Sequence, residues 1–434
     1  MNFLKKIFSQ TILTFSFLLL IYIFYKSEVI FGGQRQNFYF IYYIISLILI
    51  SFSIFTFFIN DKIKEYLIIS VISLFVSTYL FEGYLSFKKQ LTKEQLTKTK
   101  EQLYKKRTGN KWDKREMKEI YKELKKDDKK ISVRVIPKFY FRKNNHSIYS
   151  LSGISNSKLI HCNESGYYSI YQSDKYGFNN PNTEWEKNEI EYFLVGDSFT
   201  EGACVNRPND IASVLRKLSN KSVLNLGQGG NGPLMKYGTL REYLNTNIKK
   251  VLWIYYEGND LSDLNREKYD ILINYLKDLN FTQNLKLKQN QIDDLNINFI
   301  NKNIAKKKVG YVSKLIKFIE ISNIRSLISE ATAPPPEFKK ILQLSKELTK
   351  KNNSKLYFVY LPEYSRYKKN YNNSNYNLVK NIVTELKIPF IDIHKEVFEK
   401  EQNPLTLFPF ELYGHYNVTG YKKVAETIYK FTKN

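Results

Sequence analysis

From residue 191 onward, short apolar runs alternate with longer amphipathic stretches, and this alternation restricts the fold more than any other feature of the chain. Glu191–Val195, Ser222–Leu226, Val251–Tyr256, Leu356–Leu361 and Pro389–Ile393 have the length and residue types of buried strands. Asp210–Leu218, Leu234–Leu244, Glu337–Lys350, Tyr376–Leu386 and Gly420–Phe431 carry helical patterns that separate these strands or follow the last. Strand–helix alternation predicts a parallel sheet with helices on both faces, an α/β fold of three layers. The stretch Leu261–Pro334, rich in Asn, Lys and Ile, interrupts the pattern and is read as a helical insertion over the site, a candidate lid.

The first half of the chain follows other rules. Ile7–Tyr25 is apolar or hydroxylated except at Gln10, and Phe38–Ile59 and Tyr66–Phe81 carry no charge. Each run approaches the ~20 residues that cross a hydrocarbon core, and none has the polar face of a soluble helix. Three transmembrane helices are therefore expected within residues 1–87. No small-x-small cleavage site follows the first run, which argues against a signal peptide. Lys5 and Lys6 before the first span favour a cytoplasmic N-terminus, so three spans put the remainder outside. Lys88, Lys89, Lys93, Lys98 and Lys100 after the third span pull the other way, but long domains translocate despite such charge. The expectation is a multi-pass membrane protein with an extracytoplasmic C-terminal domain, periplasmic or at the cell surface. Residues 88–130 read as a charged helical stalk, 131–190 as an irregular β-rich lead-in with no assignable chemistry, and 191–434 as the α/β domain.

A net charge of +25 would by itself suggest nucleic acid or anionic lipid. The lysines are scattered, however, and no arginine-rich recognition helix is present, so the charge is read as a solvated surface and no nucleic-acid partner is expected. With 43% hydrophobic residues the chain can bury a core. Its two cysteines, Cys162 and Cys204, lie outside any metal-ligand spacing and read as free thiols or at most one disulfide. No metal or cofactor is expected.

Sites in open parallel sheets form where loops leave the carboxyl ends of strands, and three informative segments fall there. YFLVGDSFTEG places Ser198 at a strand end; the second residue after it is Thr200, so this is not the G-x-S-x-G elbow. NLGQGGNGP is a glycine-rich loop without the features of a P-loop or dinucleotide fingerprint. YYEGNDLSD puts Asn259 after the third strand, and FPFELYGHYNVTGY puts His415 before the last helix. Singly, a helix cap, a tight turn, another cap and a loop histidine explain these residues as well. His146, His161 and His394 have no comparable context and read as structural or exposed.

In this order, the four blocks resemble the SGNH/GDSL hydrolase superfamily over about 240 residues. GDSFTEG looks like the first block, NLGQGG the second, EGND the third, and GHYNVTGY the last, with His415, Asn417 and Gly420; the preceding KYGFNNP looks like a lead-in seen in many members. The resemblance implies a flavodoxin-like α/β/α domain with Ser198 as nucleophile and His415 as base. It also implies an oxyanion hole of the Ser198 and Gly230 N–H groups and the Asn259 side chain, and acyl-ester chemistry by hydrolysis or O-acyl transfer. The expected substrate is an O-acylated envelope polysaccharide or another ester. The rivals are a lipid esterase at the membrane surface and a non-catalytic glycan-binding scaffold. One departure stands out: the family's Asp three residues before the histidine is here Leu412. The candidates to hold the imidazole are Glu411 or a backbone carbonyl, with Asp392 a weaker choice.

Overall fold

The computed structural model describes residues 2–30, 33, 36–137, 148–267, 271–305, 310–328, 333–369, 371 and 375–433; His146 lies outside them. The chain forms two compact units, Met1–Thr92 with Val309–Ser329, and Lys93–Lys308 with Glu330–Asn434.

In the first unit the apolar runs form helices α1 (Asn2–Phe24), α2 (Gln36–Phe55) and the start of α3 (Asp61–Thr108). Segments within Ile7–Val29 and Asp61–Thr108 are long and apolar enough to cross a membrane, whereas Tyr39–Phe55 is shorter. Small polar side chains join α1 to the end of α2: Ser9 Oγ donates to the Thr56 carbonyl at 3.0 Å, and the Ser16 and Ser53 hydroxyls lie 3.1 Å apart. Phe15, Leu18, Ile48, Leu74 and Phe75 point outward. The third apolar run and the charged stretch after it are one helix, because nothing but Gly83 weakens the helical run before Gly109. The expected stalk is therefore the second half of α3, followed by α4 (Met117–Asp127).

The distal part of the insertion groups with this unit. Its helices Gly310–Ile319 and Ser322–Ile328 pack on α3. The Phe318 ring lies 5.4 Å from that of Tyr79, and the Glu82 carboxylate accepts the N–H groups of Asn323 and Ile324 at 3.0 and 2.9 Å. Unpaired N–H groups at a helix start need an acceptor, and Glu82 supplies it.

In the second unit, β4 (Ile190–Val195), β5 (Val223–Asn225), β6 (Ile248–Tyr256), β7 (Lys355–Leu361) and β8 (Phe390–Asp392) lie within two or three residues of the expected strand bounds. They form one parallel sheet in the order β5-β4-β6-β7-β8. This is the 2-1-3-4-5 order of flavodoxin-like doubly wound folds. Both faces are buried, and the strands still alternate. Phe193, Trp253, Tyr255 and Phe358 pack towards α7 (Pro233–Tyr243), α9 (Pro336–Lys351) and α10 (Asn375–Glu385). Tyr192, Leu194, Leu252 and Val359 pack towards α6 (Ile211–Ser219) and α11 (Val418–Thr432). The lead-in forms a smaller sheet of β1 (Ile131–Val133), β2 (Lys158–Ile160) and β3 (Ile170–Gln172), with α4 covering it through Ile120. The proximal insertion helix Gln289–Ala305 packs here too, where Asp293 accepts the Ser155 N–H and hydroxyl.

Candidate active site

β4 ends at Val195, and the chain turns through Gly196 and Asp197 into the short helix α5 (Ser198–Glu201). The Asp197 carboxylate caps it by accepting the Phe199 N–H at 2.9 Å, which leaves Ser198 at the carboxyl end of the sheet. Asn259 follows β6 and directly precedes α8 (Asp260–Glu267). β4 and β6 flank the point where the strand order reverses, the usual crevice of such sheets. His415 lies in the loop before α11. Asn417 caps that helix, its Oδ1 accepting the Gly420 N–H at 2.9 Å, so the residues of the last block fix where the histidine stands.

Ser198 and His415 meet: Nε2 is 2.9 Å from the Ser198 Oγ. The other ring nitrogen, Nδ1, is 3.0 Å from Oε1 of Glu164, whose Oε2 accepts the His415 backbone N–H at 2.6 Å. Burial raises the Glu164 pKa, but the imidazole, its two hydrogen bonds and Lys100 outweigh this and hold it below the usual carboxylate range. An ionised carboxylate only accepts, so Nδ1 carries a proton towards Glu164, and in the neutral imidazole this tautomer presents the Nε2 lone pair to the serine hydroxyl.

Glu164 replaces the expected acceptors of the imidazole proton. The Glu411 carboxylate instead meets Arg107 and Asn403, each at 3.3 Å. Phe410 and Glu411 both have positive φ, +57° and +61°, which turns this loop so that the Glu411 side chain does not reach the ring. The acceptor is a carboxylate and not a backbone carbonyl. Asp392 caps the short helix after β8 and accepts the Tyr376 hydroxyl. Glu164 comes from the loop joining β2 to β3, within the lead-in whose sequence carries no assignable chemistry. Lys100 of α3 braces the facing loop by donating to the Tyr413 carbonyl at 2.8 Å.

The lead-in reaches the second block as well. Arg134 makes a two-pronged ion pair with Glu201, at 2.8 and 2.5 Å, and Glu201 also accepts the Tyr171 hydroxyl and the Gly229 N–H. A side chain on Gly229 would run into the Arg134 guanidinium and displace it from its place beside Glu201. Gly230, with φ of +79°, follows, buried and outside the residues lining the cavity. Asn179 and Asn180 of KYGFNNP donate to the carbonyls of Glu201 and Asn225 and so tie the first two blocks together.

Ser198, His415, Glu164, Asn259, Glu363 and Tyr413 line a cavity of about 250 Å³. The Asn259 Oδ1 is buried with no hydrogen-bond partner among the described residues. Glu363 accepts the Tyr371 hydroxyl at 2.5 Å; burial and the nearby Glu257 push its pKa up. Cys162 and Cys204 form a disulfide, one of the two states the sequence left open. Glu164, Cys204 and His415 gather donor atoms of metal-ligand type. The sulfur is spent in the disulfide, however, and the other two groups bond each other, so the arrangement suits proton transfer rather than coordination. His161 is buried and held neutral, its pKa lowered to about 3 by burial and by Arg134, which outweigh the pull of Glu201. His394 bonds the Tyr367 hydroxyl at 2.9 Å. Sequence reasoning missed Glu164 and Arg134; the available signal was the pair of cysteines, one just before Glu164 and one just after the nucleophile block.

No family model matches the chain, and no curated protein matches it. Several solved structures do. A putative lipolytic protein of the G-D-S-L family from Desulfitobacterium hafniense DCB-2 is 15% identical with a TM-score of 0.32, covering 56% of this chain and 99% of its own. The acetyl xylan esterase AlAXEase is 13% identical with a TM-score of 0.32 and the same two coverages. Axe2, an acetylxylan esterase from Geobacillus stearothermophilus, is 14% identical with a TM-score of 0.30, covering 56% of this chain and 95% of its own. What identifies the fold is the chain itself. The sheet order gives residues 190–434 the doubly wound α/β/α fold, and the four blocks lie at its strand and helix ends with serine and histidine in contact, as the resemblance of those blocks to SGNH hydrolases implies.

Proposed function

We propose that this protein is a membrane-anchored serine esterase that works through an acyl-serine intermediate, with Ser198 as nucleophile, His415 as general base and Glu164 as the acid that orients it. The observation that carries the reading is the hydrogen-bonded chain Ser198–His415–Glu164 at one end of the cavity. His415 takes the Ser198 proton as Oγ attacks the ester carbonyl, and Glu164 stabilises the imidazolium that forms. The Ser198 and Gly230 N–H groups and the Asn259 amide are assigned to the oxyanion. The imidazolium then protonates the leaving alcohol, and His415 activates water, or a sugar hydroxyl in the transfer variant, to release the acyl group.

The cavity supports a small acyl group: about 250 Å³, lined by carboxylates and Tyr413, with no cationic side chain among its lining residues. A lipid esterase would call for an apolar groove, whereas this cavity is lined partly by the Glu164 and Glu363 carboxylates. A short-chain O-acyl ester of an envelope polysaccharide fits best. The disulfide supports an oxidising, extracytoplasmic location, and α1–α3 are assigned as the anchor. The test is hydrolysis of p-nitrophenyl esters of increasing chain length by the full chain in detergent, together with fluorophosphonate labelling. We expect acetate to be preferred and the label to sit on Ser198. A wild type that neither turns over esters nor takes the label refutes the enzyme reading and leaves the non-catalytic scaffold.

A further inference from the structure

The three groups of the site come from distant parts of the chain, and one of them comes from outside the five-stranded sheet domain. Ser198 and His415 are set by β4 and α11. Glu164 sits in the loop between β2 and β3, where the hydrogen bonds tie the loop mainly to its own surroundings. The Ser169 N–H donates to the Cys162 carbonyl, the Gly166 N–H to Asn163 Oδ1, and Asn163 Nδ2 to the Asp113 carbonyl. Towards the sheet domain that carries serine and histidine, the loop has the two hydrogen bonds of Glu164 to His415 and, at its far end, the Ile170 N–H donated to Asn206 Oδ1 at 2.9 Å.

The covalent tie is the bridge. Cys162, two residues before Glu164, is bonded to Cys204, with the two Cα atoms 5.1 Å apart. Cys204 stands on the turn that leaves the nucleophile helix, where the Ala203 N–H donates to the Ser198 carbonyl at 2.9 Å. Its sulfur lies 3.9 Å from His415 Nδ1, the nitrogen that faces Glu164. The bridge therefore joins the loop of the acid to the turn of the nucleophile and lies against the base.

We infer that Cys162 and Cys204 are positioning residues: their disulfide delivers Glu164 to His415, so that the complete Ser–His–Glu arrangement exists only in the oxidised protein. This rests on the esterase reading above. Formation of the bridge removes two electrons and two protons from the thiols, taken up by a disulfide of the surrounding medium, which is reduced to two thiols. Opening it reverses the exchange, with a dithiol as donor. Without the bridge only hydrogen bonds hold the β2–β3 loop at the site, so it withdraws more readily and His415 loses the carboxylate that fixes its tautomer.

The experiment crosses Cys162→Ala/Cys204→Ala with Glu164→Gln in the full chain, read on p-nitrophenyl acetate. The cysteine variant is expected to lose at least ~10-fold in kcat with KM little changed, and to add almost nothing to the loss already caused by Glu164→Gln, since groups that act as a unit are non-additive. Equal fold-losses on removing the cysteines from wild type and from the Glu164→Gln variant would mean the bridge only supports the fold, and would overturn the inference; so would full activity in the cysteine variant. If that variant does not fold, wild type is reduced with dithiothreitol until two thiols titrate, assayed, and reoxidised, with loss and recovery expected; undiminished activity with both thiols free overturns the inference. A wild type with no turnover and no labelling refutes the esterase reading separately. The bridge is then read from the downfield imidazole proton shared by His415 and Glu164. This signal should be present when oxidised and absent both when reduced and in Glu164→Gln, and its persistence on reduction overturns the inference.

Discussion

Ser198, Asn259 and His415 hang from a five-stranded sheet buried on both faces, whereas Glu164 and Arg134 come from a three-stranded sheet of short strands. In the proposed mechanism the larger sheet carries the nucleophile, the base and an oxyanion donor. The smaller one supplies charges that hold those parts: Glu164 on the imidazole, and Arg134 on the Glu201 carboxylate that accepts the Gly229 N–H. Chemistry and its support are thus divided between two regions, and the second is the one whose sequence pattern says least.

The sharpest test of this division removes the nucleophile. Ser198→Ala should lower kcat by about 10⁶, as loss of the serine does in subtilisin, and abolish fluorophosphonate labelling while circular dichroism stays unchanged. Labelling that persists on another residue would move the chemistry out of the larger sheet's crevice.

The next test compares the two acids. Glu164→Gln should lower kcat by ~10⁴, the order seen when a triad acid is neutralised. Glu411→Gln should stay within about twofold, because its carboxylate meets Arg107 and Asn403 at the protein surface. The reverse ranking would restore the acid to the His loop and reduce the lead-in to a spacer. A smaller effect belongs to Asn259→Ala, expected to cost roughly 10²–10³ in kcat with KM nearly unchanged. A change in KM alone would assign that side chain to ground-state binding.

The parallel sheet was legible because burial on both faces leaves near-continuous apolar runs, and five of these appear where strands form. Ser198, Asn259 and His415 were legible because strand order puts them at the ends of those runs. The acid was not. Leu412 occupies its usual place, and the other carboxylates near His415 in sequence, Glu411 in the His loop and Asp392 on the last strand, are not its partners. Glu164 is 251 residues from His415, in a loop with no periodicity, and only tertiary structure joins the two. Cys162 and Cys204, the only cysteines in the chain, were the one local clue. The partner of the distal insertion helices was hidden for a related reason: their apolar pattern suits many surfaces, and the contact with Glu82 on α3 is made only in the tertiary structure.

The finest comparison is between two buried carboxylates, one served by the lead-in and one not. Burial raises the pKa of both. At Glu201 the paired Arg134 outweighs burial and the pKa ends below the ordinary value. At Glu267 burial and the repelling Asp263 are the largest influences, and the pKa is pushed up to about 8 even though Glu267 accepts the N–H groups of Gly232, Leu234 and Met235 at the start of α7. The two groups therefore pull stability in opposite directions with pH. The Glu201 contribution is present above the unfolded carboxylate pKa of about 4.3 and is lost as pH falls through its lower folded value. Glu267 favours its neutral form in the fold, so its contribution is full below about 4.3 and is lost as pH rises through about 8. Glu267→Gln fixes the neutral state and keeps the shape. Its apparent Tm relative to wild type should therefore rise between pH 5 and pH 8, by an amount that reflects ~1.4 kcal/mol for each unit of pKa difference traversed. A Tm difference that stays flat over this range would mean that Glu267 is ionised throughout. The three N–H groups at the start of α7 would then do for Glu267 what Arg134 does for Glu201, and the contrast between a carboxylate served by the lead-in and one served only by the sheet domain would disappear.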